Sequence, residues 1–283
     1  MHWQIGDVRV TRVRETDLDG FTAKYFFGVE ARELDPFRGW LAPYLGPDDT
    51  LLMSVHALCI EADGLRIVVD TCIGNDRSFG SGPTMSMFNG LRTPFLEDLT
   101  AAGFGRDAVD LVVCTHLHVD HVGWNTLQED GRWVPTFRRA RYVMSKADVE
   151  HWGKAEASPL SPFGISVQPL LERGLVDAVP LDHRLSPSLS LLPTPGHTPG
   201  HVSVRIESRG ESAVITGDMV HSPVQLARPQ WPSVADTDPD EAIRSRDSLL
   251  RLAGGTGLLV LGTHFPGRTA GRVERDAKTW RFV

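Results

Sequence analysis

Apolar positions along the chain fall mostly into short runs with strand character, with helical segments between them. Residues 1–15 (MHWQIGDVRVTRVRE) alternate apolar and polar and predict a first strand. Residues 54–61 (SVHALCIE) and 65–70 (LRIVVD) predict two more, joined by the hairpin signal Ala62-Asp63-Gly64. Residues 110–115 (DLVVCT) are almost continuously apolar, as in a strand inside a sheet covered on both faces. In the second half, residues 189–192, 202–207, 212–216 and 258–261 predict strands, the last of them (LLVL) the final one. Three helices are signalled by their caps. Thr93 as N-cap with Pro94 at the first position starts one that stops at Gly103. Ser145 caps a second through Trp152. Asp238 caps a third through Ala253, with Glu241 placed to return a hydrogen bond and Gly254-Gly255 ending it. Strands outnumber helices and lie between them in both halves, which predicts a layered α/β sandwich rather than a barrel.

Two stretches follow neither period. Residues 21–53 carry Phe21, Tyr25, Phe26, Phe27, Phe37, Trp40 and Tyr44 among several glycines and prolines, and residues 222–237 (SPVQLARPQWPSVADT) are similar. Each reads either as an irregular loop packed on the core or as the wall of a pocket.

Composition narrows the classes. With 283 residues, 41% hydrophobic and 23% charged, the chain is long enough for a sizeable core and is neither fibrous nor disordered. No apolar run reaches the roughly 18 to 20 residues of a membrane span, and the N-terminus lacks an apolar signal core, so a cytoplasmic protein is expected. The net charge of −7 disfavours nucleic acid as a partner. Cys59, Cys72 and Cys114 are odd in number and sit in apolar runs, as buried thiols in a reducing compartment do. The eleven histidines are unevenly distributed.

The segment Thr115-His116-Leu117-His118-Val119-Asp120-His121 places three imidazoles and a carboxylate directly after a buried strand. A strand sends His116 and His118 to one face, and a turn beyond swings Asp120 and His121 to the same spot. Such a cluster without a cation would be a poorly solvated polar knot, and a divalent metal resolves it. His197 in TPGHTPGH, Asp218 after AVITG and His264 after LLVLGT are further ligand types just past buried strands, where α/β sheets place their sites.

The ordered set HLHVDH, PGH, GD and GTH resembles the metallo-β-lactamase fold superfamily of hydrolases, nearest to its N-acyl-homoserine lactonase and methyl parathion hydrolase-like branch. The resemblance spans the chain from the strands before Asp70 to His264. It implies one domain over residues 1–283, with an aromatic-rich insertion at about 21–53. The implied fold is a four-layer αβ/βα sandwich of two mixed sheets with helices outside and a dinuclear centre at one edge. By position, His116, His118 and His197 would hold the first metal, and Asp120, His121 and His264 the second. Asp218 would bridge both, and Asp70 would orient a ligand. The metals are expected to be two divalent ions, zinc first, with iron or manganese as alternatives. A metal-bridging hydroxide would be the nucleophile, and Asp120, Asp218 and His221 the catalytic residues.

Departures from the subfamilies narrow the substrate. No cysteine follows His121, against the best-known di-zinc β-lactamases. The motif is followed by Gly123-Trp124, not by the two glycines usual in glutathione-thioester hydrolases. Lactonases place a tyrosine three residues after the bridging aspartate, where this chain has His221, as the methyl parathion hydrolase-like proteins do. The expected activity is hydrolysis of a small, fairly apolar ester or lactone, with phosphotriesters as a side activity. The alternatives are a persulfide dioxygenase-like iron oxidoreductase and a glutathione-thioester hydrolase. Tyr25, Phe26, Phe27, Met85, Trp124, His221 and Trp231 are the candidate pocket residues, each also compatible with plain packing. The partner expected is a small molecule, with neither nucleic acid nor membrane; a homodimer is left open.

Overall fold

The computed structural model describes residues 1–80, 83–156 and 158–283. They form two compact units, Met1–Thr16 with Val55–Pro180 and Asp17–Ser54 with Leu181–Val283. The architecture is mixed α/β with more than one mixed sheet.

The first unit is built on a seven-stranded sheet. Its strand order is His2–Ile5, Val8–Thr22, Thr50–Ala62, Leu65–Val69, Leu111–Val113, Arg141–Ser145 and Val176–Val179. The second and third of these strands run on into the residues of the other unit. Thr50–Ala62 pairs antiparallel with Leu65–Val69 through the predicted Asp63-Gly64 turn, and the last three pairings are parallel. Val68, Val112 and Tyr142 lie side by side in register and are fully buried, as a sheet centre demands.

The expected single first strand is a hairpin, because Gly6 adopts φ +55° and turns the chain while the alternation resumes beyond it. The 110–115 run is strand only at Leu111–Val113; Thr115 leaves the ladder to bond Asp70. Pro94, not Thr93, is the N-cap of the helix Phe95–Ala101, and Thr93 instead donates its N–H to Asn75 Oδ1 at 2.9 Å. Ser145 caps as expected, accepting the Asp148 N–H at 3.1 Å, and that helix, Lys146–Ala155, runs three residues past Trp152.

The second unit holds a six-stranded sheet. Its order is Arg184–Ser186, Leu189–Pro193, Val202–Ser208, Glu211–Ile215, Leu259–Leu261 and Ala270–Gly271. Only Glu211–Ile215 and Leu259–Leu261 pair parallel, with Ile215 opposite Leu261. Leu259–Leu261 is not the last strand. Ala270–Gly271 and the ribbon Val273–Asp276 with Thr279–Phe282 follow, two to four residues each with only one to two buried, too short for a readable period.

The helix Pro239–Ala253 starts at Asp238, whose Oδ1 accepts the Glu241 N–H at 3.0 Å. The return bond from Glu241 is not made. The Asp238 N–H is taken by the Gly196 carbonyl at 2.8 Å, and Glu241 pairs with Arg244. Residues 21–53 are not an irregular loop. Strand occupies both ends, and between them run short helical turns, including Ala23–Phe27, Ala31–Phe37 and Arg38–Leu41, seated by buried Phe26, Phe27, Leu34, Phe37 and Leu41. Residues 222–237 include one turn of helix, Val224–Ala227. Among the described residues no helix is long and apolar enough to cross a membrane. The three cysteines are free and buried, and burial pushes the thiols of Cys59, Cys72 and Cys114 upward, which keeps them un-ionised.

Candidate metal centre

In the first unit the parallel strands Leu65–Val69 and Leu111–Val113 end together, with Val69 opposite Val113. Asp70 follows at once in a left-handed conformation, φ +58°, which costs energy for a residue with a Cβ. Its buried carboxylate is held from three directions. Oδ1 accepts the Thr115 N–H at 2.8 Å, Oδ2 accepts the Thr115 hydroxyl at 2.8 Å, and Oδ2 lies 3.0 Å from His121 Nδ1. The Thr115 hydroxyl, its proton given to Asp70, is an acceptor for His116 Nδ1 at 3.1 Å. One aspartate thus fixes two imidazoles. His116 Nε2 lies 3.0 Å from His118 Nδ1, the rings of His116 and His121 are 4.0 Å apart, and Asp120 Oδ1 is 3.7 Å from His121 Nε2. The turn that swings the later donors round is the short helix Val119–Val122.

Gly123 closes that turn. A Cβ there would lie 1.8 Å from the Ile73 carbonyl oxygen, so no other residue fits. Buried Glu15 accepts the N–H groups of Ile73 at 2.7 Å and Gly74 at 3.1 Å and the Trp124 Nε1–H at 2.6 Å. Burial pushes the Glu15 carboxyl up, against these donors and the Arg77 charge. Buried Arg77 donates to the carbonyls of Gly123 and Thr126 and lies 4.1 Å over the Trp133 ring. Burial lowers its pKa to about 9, with the Glu15 charge opposing the shift.

In the second unit the strand register does the positioning. Asp218 sits in a single turn of 3-10 helix, Gly217–Met219. His264 Nε2 lies 3.0 Å from Asp218 Oδ1, His221 Nε2 3.3 Å from Asp218 Oδ2, and His197 Nε2 3.5 Å from the same Oδ2. All four side chains are at most 5% exposed. His197, Asp218 and His221 form a three-donor group with ligand atoms within 4.8 Å of one another. The TPGHTPGH loop closes on itself through Thr194 N–H to His201 O at 3.2 Å. His201 accepts the Asp218 N–H at Nε2, 2.8 Å away, and its Nδ1 faces the Thr194 carbonyl at 3.0 Å. It supports the aspartate rather than joining the donors.

The donor chemistry suits divalent cations. Four rings hold Nδ1 against an acceptor: His116 on Thr115 Oγ1, His121 on Asp70, His197 on Asp236 at 3.0 Å, and His264 on the Ser54 carbonyl at 3.1 Å. A neutral imidazole so held carries its proton on Nδ1 and presents the Nε2 lone pair, as metal-ligating histidines do. His221 differs. Its Nδ1 has no hydrogen-bond partner among the described residues, and its Nε2 faces the Asp218 carboxylate.

Asp236 and Arg246 are invisible in the motif pattern. Asp236 lies in the aperiodic 222–237 stretch; burial pushes its carboxyl up, but the His197 hydrogen bond and the charges of His197, His221 and Arg246 outweigh this and hold it below the usual aspartate range. A signal for Arg246 exists: it shares the apolar face of its helix with Ala242, Leu249 and Leu250.

The pocket candidates separate. Phe26 packs edge-on to His221 with centroids 5.0 Å apart, Phe27 lies 5.1 Å from Phe26 and 6.1 Å from Trp231, and all three are buried. Tyr25 is about half exposed, 49%, and stacks on Phe21. Met85 is half-buried in the short helix Pro83–Ser86 of the first unit. Trp124 is buried against Phe95 with its indole N–H on Glu15, and so anchors the end of the HLHVDH turn.

The chain belongs to the metallo-beta-lactamase superfamily, whose family model matches residues 52–277. It is similar to a protein of Mycobacterium tuberculosis named a probable metallo-hydrolase, with 28% identity over 177 residues, 58% of this chain and 56% of the relative. It is also similar to an N-acyl homoserine lactonase of a Bacillus species, with 26% identity over 186 residues, 60% of this chain and 65% of the relative. The matched region thus spans a little over half of the mycobacterial relative and under two thirds of the lactonase. Among solved structures, the hydrolase AbOPH of the beta lactamase superfamily has the same fold, with a TM-score of 0.82, 22% identity, and 100% and 96% of the two chains covered. The dizinc quorum-quenching lactonase AidC, solved with an N-acyl-homoserine product, superposes with a TM-score of 0.79 at 20% identity, covering 100% and 96%.

Proposed function

We propose that the two units act as one catalytic domain, residues 1–283, and that their donor sets serve one dinuclear centre. In this reading His116, His118 and His197 hold the first cation, Asp120, His121 and His264 the second, and Asp218 bridges them. Zinc is the metal proposed, with iron and manganese as alternatives. The observation that carries the reading is the set of acceptors behind Nδ1 of His116, His121, His197 and His264, which turns four Nε2 atoms into ligands.

The activity proposed is hydrolysis of a small, uncharged ester or lactone, with phosphotriesters as weaker substrates. When bound, two such cations supply a water acidic enough to ionise near neutral pH and a Lewis acid for the carbonyl oxygen. The residues of the chain do the rest. Asp70 and Asp236 fix the rings of His121 and His197. His201 fixes the backbone of Asp218. His221 would take up the proton set free when the water ionises and pass it to the leaving alkoxide, so that ester and water become acid and alcohol with His221 unchanged. Phe26, Phe27 and Trp231 provide apolar packing behind His221 that favours uncharged acyl or aryl groups. The buried free thiols suit a reducing, cytoplasmic setting.

A substrate panel tests this reading. Zinc-loaded protein is expected to turn over N-acyl and aliphatic lactones and aryl esters well above phosphodiesters, glutathione thioesters and nucleic acids. Preferred turnover of a glutathione thioester, or oxygen consumption with a persulfide by iron-loaded protein, would replace it.

A further inference from the structure

Arg246 stands on the apolar face of the helix Pro239–Ala253 and is fully buried. Burying a guanidinium is costly unless its donors are met, and the partners it finds are of one kind. Nε donates to the Pro229 carbonyl at 2.8 Å, and Nη1 reaches the Met219 carbonyl at 3.2 Å and Asp236 Oδ2 at 3.5 Å. Each partner belongs to a segment leading to the site. Met219 follows Asp218. Asp236 Oδ1 holds His197 Nδ1. Pro229 is two residues from Trp231, which packs against Phe27.

These segments are tied elsewhere too: Asp236 Oδ2 accepts the Ser233 N–H at 2.9 Å, and the N–H groups of Val234 and Thr237 reach the carbonyls of Phe26 at 2.8 Å and His197 at 3.0 Å. Residues 219–236 contain only the single turn Val224–Ala227 and the end of the Gly217–Met219 turn. Gln225, also fully buried, ties the His221 N–H at 2.8 Å to the Trp231 carbonyl at 3.1 Å. On the other side of the helix start, Gly196 is pressed so close that a Cβ would meet the Ala242 nitrogen at 2.0 Å. The helix therefore meets the His197 loop on its first turn and the Asp218–Asp236 segment through Arg246. An aliphatic side chain would satisfy the packing of that face; a planar fork is needed to span two carbonyls and a carboxylate.

We propose that Arg246 is a positioning residue of the metal centre, setting the His197 ligand through Asp236 and the Asp218 bridge through the Met219 carbonyl. It rests on the reading of His197 and Asp218 as metal ligands and adds a residue to it. Its effect runs through preorganisation of the donors, so it is read in zinc affinity rather than in fold alone.

The test is a zinc titration of metal-free full-length protein against a chromophoric chelator, for wild type, Arg246→Lys, Asp236→Asn and the double variant, with thermal melts of each metal-free protein. Arg246→Lys keeps the charge and loses the fork. Each single variant is expected to melt cooperatively and to bind zinc about 10- to 100-fold more weakly, the range for groups that orient ligands. The double variant is expected to lose less than the sum of the two singles, since both act on His197 while Arg246 also holds the Met219 carbonyl. Arg246→Gln, which can still bond one carbonyl, serves if the lysine variant does not fold. Wild-type zinc affinity in a folded Arg246 variant, additive losses in the double variant, or unfolding of both the lysine and glutamine variants would make Arg246 a purely structural residue and overturn the proposal. Failure of the wild type itself to bind zinc would instead overturn the metal reading beneath it.

Discussion

His264 Nε2 lies 3.0 Å from Asp218 Oδ1 because each residue stands three positions past a pair of parallel strands whose ends, Ile215 and Leu261, are in register. Ladder hydrogen bonds fix that register, so the carboxylate and the imidazole arrive together without a long loop to order. Asp218→Ala removes the group that three imidazoles of the unit face, while deleting few packing contacts. It is expected to lose at least one metal and most activity while keeping its far-UV circular dichroism. Wild-type turnover with full metal content in this variant would remove Asp218 from the bridging role.

Asp70 has the corresponding place in the first unit, receiving both Thr115 donors and His121. Asp70→Ala leaves two buried donors unmet and the His121 ring without its anchor, a loss of about 1–3 kcal/mol per unmet group. We expect a lower melting temperature and a drop of about 10- to 100-fold in metal affinity. Metal content after dialysis against a chelator checks it, and retention equal to wild type would leave Asp70 with a role in the fold alone.

Gly123→Ala tests the backbone approach that seats the HLHVDH turn. The added methyl would fall 1.8 Å from the Ile73 carbonyl oxygen, so either the turn or the 70–77 segment must move. Overpacking of this kind costs about 1–3 kcal/mol or more, at roughly 2–4 °C of melting temperature per kcal/mol in a domain of this size. Gly39→Ala, with nothing within 4 Å of the new methyl, is the control and is expected to melt like wild type. Equal melting of both variants would contradict the geometry at Gly123.

Much of this cluster of candidate donors is legible in the sequence. Histidines and aspartates at fixed offsets after buried strands announce a metal centre, because the strand ends place them and few other functions need so many imidazoles. The helix caps at Ser145 and Asp238 were legible too, since a single side chain meeting a backbone N–H is a local event. Asp236, Arg246 and Glu15 were not. Asp236 and Glu15 work across 39 and 109 residues of sequence, with His197 and Trp124, and Arg246 across 10 to 27, with Asp236, Pro229 and Met219, and nothing in the neighbouring residues marks the partner. The C-terminal ribbon was missed for another reason: its strands are four residues long and alternate over too few positions. The helical turns within residues 21–53 bury their aromatics irregularly, so no single period revealed them.

His221 separates ligand from acid. With no partner at Nδ1 among the described residues and Nε2 turned to Asp218, its predicted role is proton delivery. His221→Ala is expected to keep both metals and the fold and to lower kcat at least about tenfold, the low side of general acid contributions. Loss of metal in this variant would place His221 in the coordination shell, and unchanged kinetics would leave it as packing against Phe26.

The most direct test of the dinuclear hydrolase reading is stepwise addition of zinc to metal-free protein, with bound metal and hydrolysis of an uncharged lactone or aryl ester followed together. Binding is expected to saturate at two equivalents per chain, and hydrolysis to reach its maximum only as the second equivalent binds. Saturation at one equivalent with full activity, or two bound equivalents with no hydrolysis across the lactone and ester panel, would contradict it.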